Sequence, residues 1–383
     1  MKKILFITHN TSPTGAPYVL LLLLEWLKSN GKQFQSDIVF LGGGDLKNDF
    51  IAAADNSFDL TELYKKSFNQ KITSLLSKTI AKKDIRKEAF LKKVAEQHYD
   101  VIYANSIASV PFAVELKKRA TNSPKIIAHI HELNTIIREY LPNFDQYVPY
   151  IEQFISVSNL VKQNLETNWN VKSNQSTLVY EFSDKVIAKE DFEENKTSKK
   201  VFEVGASGLV HWRKGDDLFI QVANYIKTYH PEIKIKFTWV GQLSANQKVI
   251  IDADLEKANL NKTVFFVGEQ KQPEDYFKNF DVFLMTSRED PFPLVCIEVG
   301  RMGIPIICFE NATGTAEIIS DKGGFTVPYL DCVAMAEKLV YYYKNETTRI
   351  EHGTYNKSKF GVFTSNEMAP KIQECILNCL KTQ

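Results

Sequence analysis

Ser287-Arg288-Glu289-Asp290-Pro291-Phe292-Pro293-Leu294-Val295-Cys296-Ile297-Glu298, followed by Gly300-Arg301-Met302-Gly303-Ile304-Pro305, is the stretch whose reading decides the fold. The apolar run Val282 to Met285 leads into it as a strand, an acidic loop and a Pro-rich turn follow, and a helix then begins. In a doubly wound α/β domain, loops at the carboxyl ends of parallel strands face the ligand crevice. The next helix points its positive N-terminus there. Working outward, helical and strand patterns alternate along the whole chain, which predicts an α/β protein with parallel sheets covered by helices.

In the first half, Ile4 to Ile7, Asp37 to Leu41, Val101 to Tyr103, Lys125 to Ile130, Phe154 to Val157 and Thr177 to Tyr180 read as strands. A loop from Asn10 to Gly15 follows the first strand, and the Leu-rich run Val19 to Leu24 reads as a buried helix, too short to span a bilayer. Residues 62–93 read as a basic helix, with ten Lys/Arg against three acids. Residues 184–200 are polar, without an apolar period, and read as a linker. A second series follows: strands at Val201 to Val204, Lys236 to Val240, Val264 to Val267, Val282 to Met285, Pro305 to Cys308 and Phe325 to Val327. A helix is expected at Asp217 to Tyr229. The expected organisation is therefore a first domain at 1–183, a linker at 184–200 and a second domain at 201–361. A C-terminal segment at 362–383, with a helix from Asn366 to Leu380, is expected to pack back towards the first domain.

Composition bounds the function. At 383 residues the chain exceeds what one core usually fills. A net charge of +1 argues against nucleic acid as a partner, because a phosphate-reading surface leaves a basic excess. The five cysteines are sparse and in apolar contexts, so they read as packing residues in a reducing cytoplasm. Lys2-Lys3 leads into only a short apolar run, which is not a signal peptide.

Several residues are placed to carry chemistry. With Pro293 near the first helical turn, Glu298 falls about a turn and a half into the helix, among apolar neighbours where an unpartnered charge is costly. Its carboxylate can accept the paired hydroxyls of a ribose, and the free amides at Leu294 and Val295 can meet a phosphate. The competing reading is that Asp290 and Glu298 only complement the helix dipole. Arg213-Lys214-Gly215, between a strand and a helix, supplies cations for a diphosphate leaving group. Asp216-Asp217 reads as a helix cap rather than a metal pair. Gly15 lets a ligand approach the backbone. His129 and His131 share one strand face, and a third metal ligand is not evident; a neutral His131 donating to a sugar hydroxyl fits better. The basic segment 62–93 reads as a solvated face, with peripheral contact to an anionic membrane as the alternative.

These residues together resemble the retaining GT-B glycosyltransferases of family 4, the glycosyl transferases group 1, over nearly the whole chain. The resemblance implies two Rossmann-like domains with parallel sheets facing across a cleft. In that family a Glu, seven residues and a second Glu mark the donor site; here Asp290 takes the first place and Glu298 the second. The resemblance assigns Glu298 to the donor ribose, Asp290 to the transferred sugar, and Arg213 and Lys214 to the diphosphate. The family's Arg often stands earlier, where this chain has Gly208-Leu209. His131 resembles the histidine near the reacting carbon, and Gly268-Glu269 the loop beside the nucleobase. Thr14-Gly15 stands for the usual Gly-Gly. Pro291 and Pro293 replace the phosphate-binding glycines, which shifts phosphate binding onto Arg213 and Lys214, with Phe292, Leu294 and Val295 as further donor contacts.

The implied reaction moves a sugar from a nucleoside-diphosphate sugar to a hydroxyl of a saccharide or lipid-linked acceptor with retention. No cofactor or metal is expected, because no Asp-x-Asp motif stands at a cleft loop. The expected setting is polysaccharide or glycoconjugate assembly in the cytoplasm or at the inner face of the membrane. The alternatives are another GT-B enzyme, such as a sugar-nucleotide epimerase or a phosphorylase, and a non-catalytic nucleotide-sugar-binding protein. A nicotinamide dehydrogenase is disfavoured, since the G-x-G-x-x-G fingerprint is missing.

Overall fold

The apolar runs form strands buried on both faces, as parallel sheets require. The computed structural model describes residues 1–30, 33–64, 78–185 and 201–381. It divides into two compact units, Met1–Phe182 with Ser365–Gln383, and Ser183–Thr364.

The first unit holds a seven-stranded sheet in the order β3-β2-β1-β4-β5-β6-β7, every pairing parallel. Its strands are β1 Lys2–Thr8, β2 Phe34–Phe40, β3 Asn56–Asp59, β4 Val101–Asn105, β5 Lys125–Ile130, β6 Gln153–Ser156 and β7 Ser176–Leu178. The helices between them are α1 Gly15–Ser29, α2 Lys47–Ala53, α3 Lys78–Ala95, α4 Val110–Arg119, α5 Asn134–Tyr140 and α6 Asn159–Asn168. The Leu run becomes α1, with every residue from Val19 to Leu24 buried. Of the expected helix at 62–93, the structure describes a 3₁₀ turn that ends at Tyr64 and α3 from Lys78, while 65–77 lie outside the described residues. Reversal of strand order at β1 and β4 makes their carboxyl ends the switch point where this architecture takes ligands.

The second unit has a six-stranded parallel sheet in the order β10-β9-β8-β11-β12-β13. These strands are β8 Phe202–Ser207, β9 Ile235–Val240, β10 Val264–Phe266, β11 Val282–Met285, β12 Ile306–Phe309 and β13 Gly324–Val327. Its helices are α7 Asp216–Tyr229, α8 Ala245–Lys257, α9 Glu274–Phe277, α10 Leu294–Arg301, α11 Thr315–Ile319, α12 Cys332–Lys344 and α13 Glu346–Phe360. In its core Phe219 packs edge-on against Phe237 and Trp239. The switch point here falls between β8 and β11. Of the expected linker 184–200, only Asp184 and Lys185 are described.

The final helix, α14 Ser365–Lys381, belongs to the first unit, where it packs on α1, β4, β5 and β6. The Lys125 ammonium donates to the Cys379 carbonyl at 2.8 Å, and the Trp26 indole N–H to Asn366 at 3.2 Å. Cys375 and Cys379 lie on its buried side, at one-turn spacing. No helix among the described residues is long and apolar enough to cross a membrane.

Candidate active site

In the second unit the loops after β8 and β11 are stitched together. After β8 the chain makes a 3₁₀ turn at Trp212–Lys214, capped by His211, whose ring accepts from the Arg213 amide at 3.2 Å. Gly215 then takes φ 73°, ψ 40° and starts α7. A Cβ there would lie 2.1 Å from the Thr286 carbonyl oxygen, so only glycine lets the β8 and β11 loops approach this closely. The Thr286 hydroxyl donates to the Lys214 carbonyl at 3.1 Å, and the Arg288 amide to the Arg213 carbonyl at 2.8 Å.

This stitching brings three of the sequence-selected residues into one cluster. The Lys214 ammonium pairs with Asp290. Arg213 donates from Nη1 to the Glu289 carbonyl at 2.9 Å and stands 3.4 Å from Asp290 Oδ1. The Ser287 hydroxyl donates to Asp290 Oδ2 at 3.3 Å. The Asp290 backbone is fixed too, its amide donating to the Ala312 carbonyl at 2.7 Å in a parallel bridge to Thr313. Asp290 is buried, and burial works against its charge. Lys214 and Arg213 outweigh that cost and hold its carboxyl below the usual range. Two cations against one acid leave the cluster with a formal positive charge, a fit for phosphate.

Glu298 sits elsewhere. Buried on α10, it pairs with Lys185 at 3.0 Å, and Lys185 also lies 3.8 Å from Glu274. Burial raises the Glu298 carboxyl pKa and Lys185 partly offsets it. Lys185 gave no sign of itself in the sequence, where it is one lysine in a polar stretch. Leu294 and Val295 are half-buried at the first two positions of α10, after Pro293. No described residue is seen to accept from their amides, while the Cys296 amide donates to the Pro293 carbonyl at 3.0 Å.

Phe292 is 2% exposed and packs edge-on against Phe363 at 5.3 Å. One expectation needs correction. Asp216 and Asp217 do not cap α7, since the N-cap is Gly215. Asp217 is instead gripped by both guanidinium nitrogens of Arg288, at 2.9 and 2.8 Å, and Arg288 lies over the Trp212 ring at 5.3 Å. That fork ties the β11 loop to the start of α7, a role for Arg288 that local sequence did not suggest.

The nucleobase-side candidates occupy the end of β10. Gly268 takes φ 75°, its carbonyl accepts from the Gly241 amide at 2.9 Å, and Glu269 is exposed. At Gly241 a Cβ would meet the Gly208 carbonyl oxygen at 2.0 Å, while the Trp239 indole donates to that same oxygen at 2.9 Å.

In the first unit the carboxyl ends of β1, β4 and β5 carry the other candidates. Gly15 opens α1 at φ 56°, with no heavy atom within 4 Å of where its Cβ would stand. Asn105, at the end of β4, donates to the Ala16 carbonyl at 2.9 Å and places its oxygen 3.0 Å from His131 Nε2. His131 Nδ1 lies 3.0 Å from Glu181 Oε1. Both ring nitrogens are therefore engaged inside the unit. Burial, and then His9, push the His131 pKa down to about 3, which disfavours a charged ring. His129, on the same strand face, lies against it with tilted rings 4.0 Å apart, and burial takes it well below its ordinary pKa. Asn105 and Glu181 were not singled out in the sequence; neither stands in a motif, and the topology alone brings them to His131.

With this geometry in view, comparison with known proteins is specific. Residues 201–345 match the family model described as glycosyl transferases group 1. Solved structures share the fold: HepE of Anabaena in complex with UDP and glucose has a TM-score of 0.74 at 15% identity, covering 100% of both chains. A glycosyltransferase from Rickettsia africae ESF-5 gives 0.77 at 17%, covering 100% of this chain and 99% of that one. The chain thus has the GT-B fold of two Rossmann-like units. The glycosyl transferases group 1 match falls within its second unit.

Among curated relatives, the D-inositol 3-phosphate glycosyltransferase of Paenarthrobacter aurescens (strain TC1) is 27% identical over 155 residues, 40% of this chain and 38% of the relative. The amylovoran biosynthesis glycosyltransferase AmsD of Erwinia amylovora is 28% identical over 151 residues, 34% of this chain and 43% of that protein. The chain therefore spans less than half the length of these relatives.

Proposed function

We propose that the protein is a retaining glycosyltransferase of family 4 type, moving a hexosyl group from a nucleoside-diphosphate sugar to a hydroxyl of a saccharide or lipid-linked acceptor without a metal. The observation that carries this reading is the Arg213–Lys214–Asp290 cluster, net positive and beside the N-terminus of α10, in the unit that carries the group 1 match. As the glycosidic bond to the diphosphate breaks, negative charge grows on its oxygens. Fixed cations there lower the barrier without reorganising. Lys214 and Arg213 take the diphosphate, and Asp290 orients them and accepts from sugar hydroxyls. Glu298 exchanges Lys185 for the ribose hydroxyls. The departing phosphate oxygen takes the acceptor's proton on the face it leaves, so the new bond keeps the configuration.

HepE was solved with UDP and glucose, which makes UDP-sugars the first donors to try. AmsD and other relatives are named for amylovoran and O-antigen biosynthesis, which supports a role in polysaccharide or glycoconjugate assembly. Thermal-shift measurements with UDP, GDP, ADP and their sugars test the donor step. A ligand at about a hundred times Kd stabilises by about 2.7 kcal/mol, or roughly 5–10 °C for a domain of this size. Transfer to an acceptor that is lost in Lys214→Ala and Glu298→Ala supports the reading. Donor binding with no transfer to any saccharide or lipid-linked acceptor marks a non-catalytic binding protein, and full activity in both variants refutes the site.

A further inference from the structure

Ser106 stands where the parallel ladder between β4 and β5 runs out. The last paired residues are Asn105 and His129, and beyond them the two loops diverge unless something else ties them. Ser106 has φ 75° and ψ 152°, a region left almost wholly to glycine because a Cβ crowds the backbone there. Such a conformation persists only where the surroundings over-determine it.

Glu132 supplies the tie. Its Oε1 accepts from the Ser106 hydroxyl, and its Oε2 accepts from the Ile107 amide at 3.1 Å and the His131 amide at 3.0 Å. One carboxylate thus bridges the start of the β4 loop to the residue that follows β5. Burial raises the Glu132 carboxyl pKa, and these three donors pull it back. The Ser106 backbone is held as well: its amide donates to the His129 carbonyl at 2.8 Å, and its carbonyl accepts from the Ser109 amide at 3.0 Å. The clamp flanks the 3.0 Å contact between Asn105 Oδ1 and His131 Nε2, and Asn105 reaches on to the Ala16 carbonyl in α1.

We propose that Glu132 is a positioning residue: its carboxylate locks the loops after β4 and β5 together and holds Ser106 in its glycine-like conformation, which fixes Asn105 against His131. A ligand at the carboxyl ends of these strands then meets groups already in place, and binding it costs less ordering. The clamp rests on the glycosyl-transfer reading only in its kinetic arm.

The backbone strain is tested by two serine variants. Ser106→Ala and Ser106→Gly both lose the hydroxyl and differ only in the Cβ. At an ordinary position alanine is the more stabilising of the two, since glycine leaves the unfolded chain more freedom. Here the order should invert, with Ser106→Gly melting about 2–6 °C above Ser106→Ala. The clamp itself is tested at Glu132. Glu132→Gln can reproduce the bonding, its carbonyl oxygen taking the two amides and its amide N–H donating to the Ser106 hydroxyl; Glu132→Ala cannot. Hydrogen exchange in the full-length protein, followed at the Ile107 and His131 amides, should speed up about tenfold or more in Glu132→Ala and stay within about threefold in Glu132→Gln. In the transfer reaction, kcat should fall about tenfold or more in Glu132→Ala while KM moves less, and Glu132→Gln should recover most of it.

Ser106→Ala melting at or above Ser106→Gly, unchanged exchange in Glu132→Ala, or faster exchange there with kcat unchanged would overturn the inference. If Glu132→Ala does not fold, the serine pair and Glu132→Gln decide, and lost protection in the glutamine variant counts against the clamp. If the wild type transfers no sugar from any donor, the functional reading fails, and melting and exchange alone decide the clamp.

Discussion

Replacing Lys214 by methionine isolates what the cation does for the buried acid. Methionine keeps the stem that lies against Gly208, where a Cβ would come within 3.2 Å of the lysine methylenes, and removes only the charge. Asp290 is then left with Arg213 at 3.4 Å and the Ser287 hydroxyl at 3.3 Å. Breaking one side of a buried pair costs about 3–5 kcal/mol. Arg213 remains but stands farther off than a good charge-assisted bond, so the expected loss is about 3 kcal/mol, the low end of that range. Urea unfolding of the full chain reads it through tryptophan fluorescence, since Trp212 and Trp239 report on the second unit.

Two controls sharpen the Lys214 measurement. Adding Asp290→Asn should restore most of the loss, because no buried charge is then left uncompensated. The pH dependence has a definite sign. In the wild type the Asp290 pKa is lowered, so its stabilisation is present above the ordinary carboxyl value near 4 and disappears as pH falls through the folded value. In Lys214→Met burial dominates and the acid can protonate, so the deficit against wild type shrinks towards acid. A deficit under about 0.5 kcal/mol at neutral pH, or one that Asp290→Asn fails to relieve, would refute the assignment of Lys214 as the compensating charge.

Glu298→Gln should weaken nucleotide binding by about 10- to 100-fold in calorimetric titration, since hydrogen bonds to a charged acceptor are worth about 1.5–3 kcal/mol. Its unfolding midpoint should stay within a few degrees of wild type. Acid should destabilise the first unit. His9 and His129 are held neutral by burial, so their contribution is complete above about pH 6.5 and is lost as the unfolded chain takes up protons below it. Each contributes about 1.4 kcal/mol per pH unit. Urea midpoints at two pH values below 6.5, with the lower pH the less stable, read that slope. Gly241→Ala drives a methyl into the Gly208 carbonyl oxygen, 2.0 Å away; the second unit's melting temperature should drop by well over what about 2 kcal/mol produces.

Much of the architecture was legible because strands buried on both faces are written as apolar runs. Lys125–Ile130 and Val282–Met285 were read to the residue. Elsewhere the ladder continues into polar ends such as Lys2, Asn105 and Ser207, which no hydrophobic pattern marks. The edge strand Asn56–Asp59 escaped notice, since Asn-Ser-Phe-Asp pairs along one side only and needs no apolar run. At the site, loop position at strand ends was readable, but which loops adjoin was not. Strand order decides that, and it brings Asp290 into direct pairing with Arg213 and Lys214. The partners that came only with the coordinates are single polar residues far away in sequence: Lys185 for Glu298, Glu181 for His131, Arg288 for Asp217.

The placement of α14 with the first unit has a consequence for how the protein is made. The second unit is one continuous stretch and can fold as soon as it has left the ribosome. The first unit begins at the amino terminus yet needs the last helix, which buries Met368, Ile372 and Ile376. Until α14 has been made, the earlier part of this unit waits with β4, β5 and β6 uncovered on that side. A stop within α14 would therefore strand the part of the unit made before it.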